Sequence, residues 1–225
     1  MKEILNFLQE LELNNKRERF HSHQEEYQFI RKQVLSLTDR LIIAISEFFD
    51  LPDLRPGDCV FRINRDTRFS NDKTPYKTNF WIEISQNWKR HWLPCFYLHI
   101  QPWNNSFIAG WLYMPDSETT SIIREWIDQN WEKLQKIINK IWKSKKFYMY
   151  EDSVKTSPRW YKKDNPHIEL LKLKHWILER KISDKELLSP EFEKTLITDF
   201  KELSPLVEWL QDTISLGFRN HPKTR

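Results

Sequence analysis

The hydrophobic period changes once, near residue 59, and that change limits what the chain can fold into. Tyr27, Ile30, Val34, Leu37, Leu41, Ile45 and Phe48 recur at spacings of three and four with charges between them, the stripe of a long amphipathic helix over 22–49. Pro52 and Pro56 end it. From Cys59 the apolar residues alternate instead: Cys59, Phe61 and Ile63, then Phe80, Ile82 and Ile84, then Phe96, Leu98 and Ile100. Each predicted strand has an apolar face and a polar one, the pattern of an antiparallel sheet with helices on one side. A fourth, about 107–114, is apolar on both faces and is predicted to be central or doubly covered. Sequential hairpins make a meander the simplest connection.

Helical stripes recur on either side of the strands. Ile4, Leu5, Phe7, Leu8 and Leu11 mark a short helix over 3–11 that closes at Asn14-Asn15. After Pro115, Asp116 or Ser117 is a good cap for a helix to about 142, its stripe of Ile123, Ile127, Leu134, Ile138 and Ile141 widened by Trp126, Trp131 and Trp142. Tyr148 and its neighbours suggest one more short strand. Asn165-Pro166 reads as the start of a helix to about Arg180, and one or two helices over 189–216 are expected to break near Pro205. The chain of 225 residues therefore reads as one α+β domain over 1–218, with an antiparallel sheet of about four or five strands and helices on its apolar face. Residues 219–225 read as a polar tail.

Composition removes several function classes. Gly57, Gly110 and Gly217 are the 3 glycines and build neither a G-x-G-x-x-G nor a P-loop pattern, so glycine-cradled phosphate sites are excluded. Cys59 and Cys95 lack C-x-x-C spacing, and His21 and His23 beside Glu25 and Glu26 find no second cluster, so no metal and no cofactor is expected. No nucleophile elbow is present. The absence of a run of about 18 apolar residues argues for a cytoplasmic protein without a membrane partner.

Charge is unevenly spread: −3 over residues 1–54, +5 over 143–174 and −5 over 183–212. The densest feature runs from Arg62 to Thr78, where five cations and two carboxylates leave net +3. Arg62, Arg65 and Arg68 supply planar forks suited to phosphate or carboxylate, and Lys73 and Lys77 add point charges. Phe69 and Tyr76 interleave with them, as in surfaces that stack bases while gripping phosphates. Two readings stand: an anion site for a phosphorylated small molecule or nucleic acid, or a structural network in which Asp66 and Asp72 pair with the arginines.

The loop RINRDTRFSNDKTPYKTNF, the later YLH and MPD, PRWYKKDNPH and ELLKLKHW together resemble the Domain of Unknown Function 2461 family of conserved bacterial hypothetical proteins. The resemblance spans nearly the whole chain, from Leu13-Asn14-Asn15, Arg17, Phe20 and Tyr27 to Pro205-Leu206. It implies no established activity. The family pattern has Trp where this chain has Arg19, glycines around Trp103-Asn104, Gly at Trp160 and His at Asn165.

A second constellation combines Tyr161, Asp164 and the Asn165-Pro166-His167 turn with Lys172 and Lys174, a helix start that favours anions. The expectation is that the loop meets this turn around an anionic ligand. Arg62, Arg65, Arg68, Lys73 and Lys77 would contact it, Tyr76 and Tyr161 would orient it, and Lys174 would reach toward it. An enzyme acting on phosphate esters or nucleic acid is the alternative, with Asp66, Asp72, Lys73, Tyr76, His99 and Asp164 as candidate catalytic groups and Glu83 as a partner for His99. A protein interaction module displaying Trp88, Trp92 and Trp103 is the third.

Overall fold

The computed structural model describes residues 1–68, 70–86 and 93–220, the last by its backbone. Phe69, Trp88 and Trp92 lie outside the described residues. The helices are α1 Lys2–Leu13, α2 Arg17–Ser22, α3 Gln24–Ser46, α4 Pro56–Cys59, α5 Ser117–Trp142, α6 Ile168–Lys172, α7 Asp184–Leu187 and α8 Phe192–Asn220. The strands are β1 Phe80–Ile84, β2 Cys95–Ile100, β3 Ser106–Leu112, β4 Tyr148–Met149 and β5 Trp176–Ile182. They form an antiparallel sheet in the order β1-β2-β3-β5-β4, so the fold is α+β. The meander holds for β1 to β3, β3 is central as its two apolar faces required, and β4 pairs with β5, Tyr148 opposite Glu179 and Met149 opposite Leu178.

Three segments differ from the sequence reading. Pro56 starts the short helix α4, and what was predicted as a strand from Cys59 forms isolated bridges, Val60–Ile82 and Asn64–Tyr76, rather than a strand of the sheet. The helix expected over 166–180 stops at Lys172. Leu173 turns extended (φ −56°, ψ 140°), and Trp176, Ile177 and Leu178 continue as a buried strand. Their unbroken apolar run suits a strand covered on both faces. Helix α8 passes through Pro205 without a break. Proline lacks the N–H that would serve the Lys201 carbonyl, and the Ser204 hydroxyl donates to that carbonyl instead, at 3.0 Å.

The chain divides into two compact units. The first comprises Met1–Trp88, Tyr97–Ile108 and Lys181–Thr198. Its core joins the stripes of α1 and α3, and Phe20 stacks on Tyr76 with ring centroids 3.9 Å apart. Trp103 and Asn104 are both left-handed (φ 66° and 59°), a conformation uncommon for residues other than glycine. Their N–H groups form a concave pair filled by Asp184, whose carboxylate accepts from Trp103 at 2.9 Å and Asn104 at 3.0 Å, and Glu12 holds the Trp103 indole at 2.8 Å.

The second unit comprises Lys89–Phe96, Ala109–Arg180 and Asp199–Arg225. Asp116 caps α5 by accepting from the Thr119 N–H at 2.8 Å. Gly217 permits α8 to approach α5 so closely that a Cβ there would collide with Ile122. Asp199, fully buried, is paired with Arg180 and with Lys146, the latter at 3.3 Å. Trp160 is 86% exposed with φ 78°.

Candidate functional site

Within the first unit two of the loop's five cations, Arg65 and Arg68, are paired with its two acids. Arg68 is engaged twice by Asp66, through Nε at 2.9 Å and Nη2 at 2.6 Å. Arg65 bonds Asp72 and the Thr74 hydroxyl, and Lys73 Nζ donates to the Thr67 carbonyl at 2.9 Å. Hydrogen bonding to Arg68 holds the Asp66 carboxyl down at about 2, and the Thr74 backbone N–H followed by Arg65 does the same for Asp72, also at about 2. Both acids are thus fully ionised acceptors rather than proton donors near neutral pH.

Tyr76 anchors the loop. Its ring is buried against Phe20, and Asn15 clamps its backbone on both sides, donating to the carbonyl at 2.9 Å and accepting from the N–H at 3.2 Å. Asn64 and Tyr76 bridge across the loop, which closes it into a hairpin-like turn beside β1.

Arg62 and Lys77 stand apart from this network. Arg62 is exposed and has no hydrogen bond or ion pair among the described residues. Lys77 lies with its Nζ 4.0 Å from the Trp81 ring centroid and 5.2 Å from that of Phe61. Burial, then repulsion from Arg62, pushes the Lys77 ammonium down to about 8, against a weaker pull upward from Glu83. Burial pushes the Glu83 carboxyl up to about 7, with Lys77 opposing.

Trp81 and Glu83 share one face of β1 by alternation, and Tyr97, His99 and Gln101 share one face along β2 and its continuation. The Trp81 and His99 rings lie 6.3 Å apart, and His99 stacks on Phe107 of β3 at 4.8 Å. His99 Nε2–H donates to the Gln101 side-chain carbonyl at 2.8 Å, and Nδ1 accepts from the Tyr97 hydroxyl at 3.1 Å. With both nitrogens engaged and burial pushing its pKa down, His99 is held neutral. The partners expected for it were carboxylates; those it has are an amide and a phenol.

The remaining predicted residues belong to the second unit. Lys174 pairs with Asp152 at 2.7 Å, and Asp152 also faces His175 Nε2 at 3.3 Å. Tyr161 is half-buried with its phenol pKa raised, chiefly by burial, and Asp164 is exposed. Asn165 accepts from the His167 N–H at 2.8 Å and donates to Asp128 at 2.6 Å.

Glu83 and Trp81 are the site residues that the composition of the loop does not reveal. Their signal is the strand alternation that puts them on the polar face with His99. Chemically, this face brings an aromatic wall, the Lys77 ammonium, a carboxyl pushed up to about 7 and a neutral imidazole into one region, with Arg62 close enough to repel Lys77. Among the described residues no His, Cys, Asp and Glu group could hold a metal ion, and no helix is long and apolar enough to cross a membrane.

No curated protein and no solved structure matches the chain. A family model, that of the conserved hypothetical protein family DUF2461, matches residues 3–209, and the chain belongs to that family.

Proposed function

We propose that the protein binds a small phosphate-bearing anion through Arg62 and Lys77, at the edge of the aromatic face formed by Phe61, Trp81 and His99. The observation that carries this reading is electrostatic. Burial and then Arg62 lower the pKa of Lys77, with Glu83 opposing more weakly, and neither cation is hydrogen-bonded to a carboxylate among the described residues. Two cations that repel one another are stabilised by an anion between them, which adds two attractions at shorter range that outweigh the repulsion. The Arg62 fork suits two phosphate oxygens, Lys77 adds a point charge, and the indole offers a flat surface to a base or ring attached to the phosphate. Arg65, Arg68 and Lys73 are already engaged, by Asp72, Asp66 and the Thr67 carbonyl.

Calorimetric titration with inorganic phosphate, pyrophosphate and adenosine monophosphate at low salt tests the reading. Saturable binding that weakens steeply with ionic strength is expected. Arg62→Ala or Lys77→Ala is expected to weaken it at least about tenfold, the worth of one charge-assisted hydrogen bond, while Arg68→Ala leaves it unchanged. Binding indifferent to both Arg62 and Lys77, or no binding at all, overturns it.

Glu83 favours a second reading, hydrolysis of a phosphate ester at the same face. A carboxyl titrating at about 7 beside an ammonium titrating at about 8 forms an acid–base pair suited to neutral pH. Water oxygen would bond to phosphorus as its proton passes to Glu83, and the ester P–O bond would break with the leaving oxygen taking a proton from Lys77. Turnover of p-nitrophenyl phosphate that Glu83→Gln abolishes, with phosphate affinity retained, would separate catalysis from binding.

A further inference from the structure

We infer that the second unit carries a separate binding cleft between α5 and α8 for an uncharged, polyhydroxylated ring, a sugar residue of an oligosaccharide. The cleft has a volume of about 490 Å³, within the range of small-ligand sites, and Trp126, Trp131 and Trp209 line it. On α8, Trp209, Asp212, Thr213 and Leu216 follow at helical spacing and present one wall.

The other wall exists because α5 is broken. Asn130 has φ −136° and ψ 30°, so α5 is two helical stretches joined at that residue. In an unbroken helix, residues five apart point about 140° away from one another, and Trp126 and Trp131 would serve different faces. Across the break both line the cleft. A helix interrupted at an exposed asparagine loses backbone hydrogen bonds, and the interruption lets Trp126 and Trp131 line the same cleft. His167 stacks on Trp131 at 4.2 Å and Asn165 bonds Asp128 at 2.6 Å, so the 158–167 turn, unused by the phosphate site, braces this indole.

The lining also selects the ligand class. Lys133 and Lys136 are offset by Glu132 and Asp212, which leaves no net charge to attract a phosphate. Indole faces pack against the C–H face of a sugar ring, while Gln129, Asn130, Asp212 and Lys133 offer donors and acceptors to hydroxyls. A nucleotide would meet the same stacking surface, but its phosphate would gain no net attraction from a lining whose charges cancel.

The test uses the full chain with maltotriose, cellotriose and chitotriose as probes, followed through the indole N–H signals in NMR titrations. At least one probe is expected to shift them saturably, with an affinity that does not change between low and high salt. Trp131→Ala should weaken that binding at least tenfold; Asp212→Ala, at an exposed rim position, should weaken it severalfold with the melting temperature retained. Arg62→Ala should leave it unchanged, which separates this cleft from the phosphate site. The inference is overturned if none of the three sugars binds, if Asp212→Ala and Trp131→Ala both bind as the wild type does, or if adenosine monophosphate occupies the cleft more tightly than the sugars.

Discussion

The cation loop and the sheet face beside it contain the same kinds of charged side chain in different surroundings. In the loop, Arg68 and Asp66 meet in solvent, as do Arg65 and Asp72, and each acid is simply held in its ionised form. On the sheet face, Lys77 and Glu83 are withdrawn from water, and their pKa values move toward one another, to about 8 and about 7. Water screens the first pairs and leaves them chemically inert; desolvation makes the second pair responsive near neutral pH. The density of charge in a segment is therefore a poor guide to where chemistry sits, and the extent of burial is a better one.

The sharpest way to break this contrast is a stability profile against pH. Glu83 has its folded pKa raised above the unfolded value of 4.5, so its contribution to stability is fully present below about 4.5 and is lost as pH rises through about 7. Lys77 has its folded pKa lowered from 10.5, so its contribution is fully present above about 10.5 and is lost as pH falls through about 8. Urea unfolding of wild type and Glu83→Gln should differ in slope between pH 4.5 and 7 by on the order of 2 kcal/mol in total. Lys77→Met should flatten the rise between pH 8 and 10.5. Parallel profiles for wild type and Glu83→Gln would place Glu83 with the solvated acids of the loop.

A smaller effect is expected where the loop is pinned to the core. Asn15→Ala removes both side-chain hydrogen bonds to the Tyr76 backbone and should lower stability by about 1 to 2 kcal/mol, measured as a shift in urea midpoint at constant slope. Phosphate affinity should fall with it, because Lys77 follows Tyr76 directly. The smallest effect belongs to Arg68→Ala. The pair with Asp66 is exposed, and the melting temperature should be unchanged at both low and high salt. A clear loss of stability there would mean that the loop pairs hold structure and that the contrast between the regions is false.

Several parts of this architecture were legible in the chain. The stripes of α1 and α3, the Asp116 cap of α5, the alternation of β1 and β2 and the two apolar faces of β3 all appear where the residue pattern puts them, since each depends on neighbours within a few residues. The structural network anticipated from Asp66 and Asp72 is present too. The stretch after Lys172 reads locally as helix, because Leu170, Leu173 and Ile177 fit a helical stripe, but the run from Trp176 is a covered strand. Pro205 reads locally as a helix end, and only the Ser204 hydroxyl beside it shows how the helix continues. Trp103 and Trp160 give no local sign of left-handed backbone; at Trp103 the Asp184 carboxylate, remote in sequence, compensates for it.

By itself the amino-acid order determined the helix faces, the alternation of the strands and the supply of charge, because side-chain periodicity and capping are properties of short segments. Tertiary structure decided which cations were left over, which acid lost its water and which tryptophans came to share a cleft. Desolvation and pairing depend on the groups that distant segments bring within a few ångströms, and no local pattern encodes that distance.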